Sequence, residues 1–282
     1  MFSDQHRAVF KAGSRTYYYS SLFFPKAVRD DVSILYAFVR QADNYVDSVP
    51  QDREGFAAFA ERYGRAASTG ELSGDPIIDS FVALAKRRKF DPRWVEAFLY
   101  SMELDTYKKQ YQTIKETEEY IYGSAEVVGL MMARVLNLPD AALEPAKYLG
   151  KAMQYINFIR DINEDLKLGR VYLPQDELEQ FGLPSLRFDQ VRQHTHKFRE
   201  FINLQIVRYQ KWQARAAEGY RFIPRRYLVP IKTAADMYQW TAAKIRQDPL
   251  VVYQRIVKPS RTRIICRVIY NAVLGNGHVS TD

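Results

Sequence analysis

Apolar residues recur along most of this chain at the three- and four-residue intervals of an α-helix, and strict apolar/polar alternation is scarce. The pattern predicts helices over residues 4–12, 15–23, 26–48, 52–68, 74–88, 91–109, 116–136, 140–166, 174–180, 188–217, 219–222, 224–246 and 261–274. Pro25, Pro50, Pro92, Pro139, Pro174, Pro184, Pro224 and Pro249 punctuate these segments, mostly near starts or breaks, where a fixed φ and a missing N–H do least harm. The expectation is an all-α bundle around a central cavity. No internal repeat of fixed period is evident, and the stretch from Ala66 to Pro76 is too short for a linker, so residues 1–282 read as one domain.

Acidic residues inside these apolar runs carry the chemistry. Acidic pairs spaced i, i+4 include Asp43/Asp47, Asp75/Asp79, Asp140/Glu144 and Asp161/Asp165. Side chains four apart share a helix face, so two carboxylates there repel unless a cation or ligand compensates. Spacing alone does not distinguish the pairs, because 33 acidic residues in 282 supply about this many by chance. Context does. Asp75 precedes Pro76 and Asp140 follows Pro139, both turn signals, whereas the other two pairs are embedded in apolar segments.

In the first segment the apolar stripe is Leu35, Phe38, Val39, Ala42 and Val46, and Asp43 projects at its edge, near Val39 and Tyr36. Arg40 lies one turn earlier, as a salt-bridge partner or an anchor. In the second segment Gln154, Asn157, Asp161 and Asp165 form one polar stripe with Phe158 beside it. Tyr155, Ile159, Ile162 and Leu166 form the packing face, and Arg160, Asn163 and Lys167 the remaining side. A solvated surface is the competing reading of that polar stripe. If instead the pairs face each other, they suit a hard divalent ion: Mg²⁺ is usually held by one or two carboxylates plus substrate phosphates. The suspected substrate is then a phosphate or diphosphate.

The segments Ala42–Asp47 and Gln154–Asp165, followed by Gly169-Arg170-Val171-Tyr172-Leu173-Pro174, resemble the two aspartate-rich signatures of the phytoene/squalene synthase family. Gly13-Ser14-Arg15-Thr16-Tyr17-Tyr18 resembles that family's phosphate-contacting N-terminal segment, and the run from Tyr120 to Met132 its central helix signature. The resemblance runs from about Ser14 through Tyr238, and its blocks occur in the expected order.

The resemblance implies a single-domain isoprenoid synthase fold and the head-to-head condensation of two prenyl diphosphates through a cyclopropyl diphosphate. Asp43, Asp47, Asp161 and Asp165, with Asn157, would hold Mg²⁺, with Mn²⁺ as a substitute. Ser14, Arg15, Tyr17, Arg40, Gln154, Asn157, Phe158 and Arg170 would contact substrate, and Tyr122 and Tyr238 would stand near the reacting carbons. Two geranylgeranyl diphosphates giving phytoene, in carotenoid biosynthesis, is the favoured reading. Squalene or dehydrosqualene from farnesyl diphosphate is the alternative, with NADPH entering only for squalene. A noncatalytic membrane-associated scaffold of the same fold is the rival of a different class, which the intact aspartates oppose. Glu126 departs from the pattern, standing where many relatives carry Gly; it could narrow the cavity, bind metal or face away.

Composition adjusts this picture at its margins. The 20 Tyr and 16 Phe residues serve a core or a greasy pocket equally well. One cysteine, Cys266, excludes an intramolecular disulfide framework, and His194 and His196 show no metal spacing with the carboxylates. No apolar run resembles a signal peptide or a membrane span, so a cytoplasmic protein, at most peripheral on the membrane, is expected. The net charge of +8 gathers in Lys86–Lys89 and in Arg255, Lys258, Arg261, Arg263 and Arg267. With no nucleic-acid module present, attraction to an anionic membrane surface is preferred over nucleic acid. Oligomeric state is not legible here.

Overall fold

The computed structural model describes residues 6, 8, 9 and 24–273. Among them there is no strand, only an isolated parallel bridge between Gln110 and Val171. Helices α1 (Lys26–Asp47), α2 (Arg53–Thr69), α3 (Pro76–Arg88) and α4 (Pro92–Tyr107) open the chain. Next come α5 (Ile114–Ile121), a π-turn (Tyr122–Glu126), α6 (Val127–Val135), a 3₁₀ turn (Asp140–Ala142), α7 (Leu143–Arg160) and α8 (Ile162–Lys167). The chain then forms α9 (Gln175–Gln180), α10 (Phe188–Gln193), α11 (Thr195–Ala217), a 3₁₀ turn (Glu218–Phe222), α12 (Arg225–Gln247), α13 (Val251–Gln254) and α14 (Arg261–Val273).

The starts follow local chemistry. Asp75 and Asp91 cap α3 and α4, accepting from Ile77 N–H at 2.9 Å and Arg93 N–H at 3.0 Å, and a proline at the first helical position loses a donor that had no partner anyway. Asp79 accepts from both the backbone and the hydroxyl of Ser73. The Asp75/Asp79 pair is thus consumed in shaping a helix start.

Three expected helices are interrupted. The expected span 116–136 contains the π-turn, closed by Val127 N–H on the Tyr122 carbonyl. Span 140–166 breaks at Asp161, whose φ of −100° and ψ of 17° leave the helical region. Span 188–217 breaks at His194. Helix α13 was not expected, being a single turn too short to show a period. The expected helix 15–23 and most of 4–12 lie outside the described residues.

Two apolar cores hold the bundle. One gathers α1–α4 and α6 around Phe38, which stacks on Phe81 at 3.8 Å and 7°, with Phe59 and Phe98 close by. The other gathers α5, α7 and α9–α13 around Tyr155, Ile156, Phe198 and Phe201. Helix α7 meets α6 and the π-turn before it backbone to backbone: a Cβ on Gly129 would fall 2.3 Å from the Ala146 carbonyl oxygen, and one on Gly150 2.3 Å from that of Ala125. A cavity of about 550 Å³ lies where the two cores meet, lined from one side by Val32, Leu35 and Met102 and from the other by Ala125, Phe158 and Tyr172. No helix among the described residues is long and apolar enough to cross a membrane.

Candidate active site

Five carboxylates line this cavity. Asp43 and Asp47 come from the last turns of α1, Asp161 from the break between α7 and α8, Asp165 from α8, and Asp105 from the end of α4. The rest of the wall is mostly apolar and reaches Leu136, Leu138, Ala142, Gly219 and Ile223. Both pairs singled out in the sequence therefore border one space, and the solvated-stripe reading of Asp161 and Asp165 does not hold.

Arg170 ties the carboxylates together. Gly169, at φ +70°, turns the chain after α8, a conformation a Cβ would strain. Val171 N–H then donates to the Lys109 carbonyl at 2.8 Å and Gln175 N–H to that of Tyr111 at 3.0 Å, which docks the segment beside the end of α4. The Arg170 guanidinium, 3 % exposed, donates to Asp47 at 2.8 Å and to the Val46 carbonyl, and stands 4.0 Å from Asp105. Both terminal nitrogens are spent on the protein. Arg170 lines the cavity, and its bonds make it an organiser of the aspartates there.

Each pair holds one carboxylate fixed and one loose. Asp47 takes the Arg170 bond, while Asp43 has only Arg40 at 4.0 Å. Burial and the neighbouring Asp47 push the Asp43 carboxyl up to about 7 against the pull of Arg40. The 31 % of its side chain that stays accessible faces the cavity it lines. Asp161 is gripped by its neighbour Arg160, whose Nε donates at 2.7 Å. Asp165 is pushed up to about 8 by burial and by Asp161.

Asp105 was missed in the sequence. It is buried, accepts the Tyr120 hydroxyl at 2.6 Å on one oxygen and the Tyr172 hydroxyl at 2.7 Å on the other, and is raised to about 6 by burial, with Arg170 and both hydroxyls holding it back. Phe158 stacks on Tyr172 at 4.3 Å and 9°. A signal existed: Val95, Phe98, Met102 and Asp105 continue one buried stripe of α4, an acid at an apolar position.

The tyrosines require a correction. Tyr122 is 38 % exposed and does not line the cavity, because it is two residues, about 200° of helix, from Tyr120, which does. Tyr238 is half-buried on α12, close enough to cavity-lining Tyr36 to affect it, and is itself outside the lining. Arg40, Gln154, Asn157 and Phe158 all line the cavity. Ser14, Arg15 and Tyr17 lie outside the described residues. Glu126 faces away: its buried carboxylate meets Lys151 Nζ at 2.9 Å, and Lys151 also meets Glu118 at 2.9 Å.

These donors fit a hard cation completed by a ligand. Among the described residues no three His, Cys, Asp or Glu side chains converge into a full protein cage. What is present is a pair of carboxylates on each side and Asn157 Oδ1, buried without a hydrogen-bond partner one turn before Asp161. Oxygen donors in twos, short of positive charge, suit an ion that takes its remaining ligands from water and phosphate.

Comparison with known proteins agrees. Residues 10–263 match the family model described as squalene/phytoene synthase. The 15-cis-phytoene synthase of Paracoccus sp. is 30% identical over 259 residues, covering 88% of this chain and 84% of that protein. The phytoene synthase of Rhodobacter capsulatus is 30% identical over 260 residues, covering 91% and 76%. Among solved structures, a squalene synthase from Alicyclobacillus acidocaldarius superimposes with a TM-score of 0.77 at 25% identity, covering 88% of this chain and 93% of that one. A dehydrosqualene synthase in complex with a ligand shares the fold, with a TM-score of 0.81 at 21% identity and coverages of 97% and 96%.

Proposed function

The chain belongs to the squalene/phytoene synthase family and is a prenyltransferase, and from that premise we propose that it joins two geranylgeranyl diphosphates head to head, through a cyclopropyl diphosphate, to phytoene. One observation carries the reading. Two acidic pairs and an orphaned amide oxygen border a cavity whose remaining wall is mostly apolar, which matches a substrate with an anionic head and a long hydrocarbon tail.

Asp43, Asp47, Asp161, Asp165 and Asn157 would hold Mg²⁺ or Mn²⁺. When bound, the ion neutralises charge on the departing diphosphate and so eases C–O ionisation. Arg40 offers its guanidinium to phosphate oxygens from the cavity wall. Arg160 and Arg170 keep Asp161 and Asp47 aimed. Gln154 orients the diphosphate or its water. Phe158 and Tyr172, stacked face to face, present π-density to passing carbocations. The apolar walls exclude water, which would otherwise quench those cations. Asp105 accepts a hydrogen bond from each of the Tyr120 and Tyr172 hydroxyls and so fixes both oxygens beside the acidic pairs. Amphiphilic substrates and an oily product would draw the enzyme to a membrane surface, and its basic surplus supports an anionic one.

The solved squalene and dehydrosqualene synthases that share the fold keep farnesyl diphosphate as a second reading. Purified protein incubated with geranylgeranyl or farnesyl diphosphate and Mg²⁺, with and without NADPH, separates them by product mass. Phytoene from geranylgeranyl diphosphate without NADPH is expected. A product made only from farnesyl diphosphate, or no hydrocarbon at all, overturns the proposal.

A further inference from the structure

Helix α14 shows two faces with different environments. Ile264, Val268 and Asn271 are buried against α12, where Asp236 accepts from Arg267 at 2.6 Å, Asn271 at 2.8 Å and Lys232 at 3.1 Å. That network fixes the helix, and its other face is therefore held outward. There Ile265, Ile269 and Val273, spaced i, i+4 and i+8, are each more than half exposed, with Tyr270 exposed at the margin. Of the thirteen large apolar side chains exposed among the described residues, five lie between 256 and 273, so this patch is a concentration rather than scatter.

Charge identifies what covers it. Arg255, Lys258, Arg261 and Arg263 are exposed just before and within the first turn of α14, Arg263 with its guanidinium over the Trp240 ring at 4.8 Å, and no Asp or Glu occurs from residue 249 through 281. We propose that the outer face of α14 docks on an anionic lipid bilayer, its isoleucines entering the interface and its arginines meeting headgroup phosphates. A second copy of the chain fits less well. A row of three or four apolar side chains is small for a stable dimer, and a two-fold contact would press the arginines of one copy on those of the other. Helix α12 separates this face from the cavity, with Pro230, Ile231 and Ala234 lining the cavity and Thr233 and Asp236 facing α14. The bilayer then lies one helix from the apolar end of the site.

The proposal deepens the membrane contact of the proposed function, and its test needs no turnover. The full chain is floated with phosphatidylcholine vesicles, with and without phosphatidylglycerol. Binding to the anionic vesicles is expected to exceed that to neutral ones by about tenfold and to fall with salt. Ile265→Glu/Ile269→Glu removes binding and leaves the melting temperature and hydrocarbon synthesis from detergent-dispersed substrate unchanged. Arg255→Gln/Lys258→Gln reduces anionic binding to the neutral level. Wild-type protein that ignores anionic vesicles, or an isoleucine variant that binds as well as wild type, overturns the proposal. So does an isoleucine variant that turns a dimer into a monomer with vesicle binding unchanged. Loss of hydrocarbon synthesis with vesicle binding intact counts against the reaction and leaves the docking face standing.

Discussion

The two acidic pairs reach the same cavity by unlike routes, and their asymmetry is inverted. On α1 the helix is continuous and the later carboxylate, Asp47, is tied to Arg170, leaving Asp43 loose. At the second pair the helix breaks at the earlier carboxylate, Asp161, which Arg160 grips, leaving Asp165 loose. In both, one carboxylate is held by an arginine and the other has no cation closer than 4.0 Å among the described residues, its pKa raised to about 7 in Asp43 and about 8 in Asp165. A pair of like charges one turn apart is thus made tolerable by neutralising half of it within the protein. The other half is left for a ligand to neutralise.

The largest expected effect treats the pairs as equals. Asp43→Asn and Asp161→Asn should each lower the rate of diphosphate release by about 10³-fold or more, since the ion's charge neutralisation amounts to several kcal/mol of the barrier. Retained turnover in both would remove the shared role. Arg170→Met should act next most strongly: it strips partly exposed Asp47 and the Val46 carbonyl of their donor and buried Asp105 of a nearby counter-charge, costing about 1–3 kcal/mol of stability, with about 10–100-fold of activity lost. Arg170→Lys should recover little, because one ammonium cannot reach Asp47 and the Val46 carbonyl as a planar fork does.

Smaller effects test the asymmetry itself. Without metal, Asp43→Asn and Asp165→Asn should raise the melting temperature at about pH 8.5 by about 2–4 °C, because each removes a charge that folding disfavours. Asp47→Asn and Asp161→Asn should lower it. Equal shifts within a pair would erase the distinction. The pH trend has the same origin. Asp43, Asp105 and Asp165 hold protons more tightly folded than unfolded, so the stability they contribute is complete near pH 4 and declines as pH rises through about 6 to 8. Metal-free protein should melt at a lower temperature near pH 8.5 than near pH 5.5, and added Mg²⁺ should narrow the gap.

Much of this was legible before any coordinates. Long helices such as α1, α2 and α12 appear at nearly their true limits because one face of each must be buried, and burial writes a period into the sequence. The aspartate pairs were legible because charge inside an apolar period is conspicuous. What escaped depends on contacts between distant segments. Asp105 is a single acid, and its meaning comes from hydroxyls 15 and 67 residues away. That Tyr122, unlike Tyr120, falls outside the lining follows from helix phase within the signature, where the chain passes from α5 into the π-turn. Glu126 was recognised as a departure, but only Lys151 on α7 shows that it turns from the cavity.

The placement of the hollow at a seam between two separately packed cores has a consequence for how such a chain can change over generations. A substitution that enlarges or shallows the lining on one side need not disturb the interlocking of the other. Selection can therefore tune the length of hydrocarbon accepted in small, tolerated steps, while the few residues that stitch the halves, Arg170 foremost, answer to both sides at once and have the least freedom to vary.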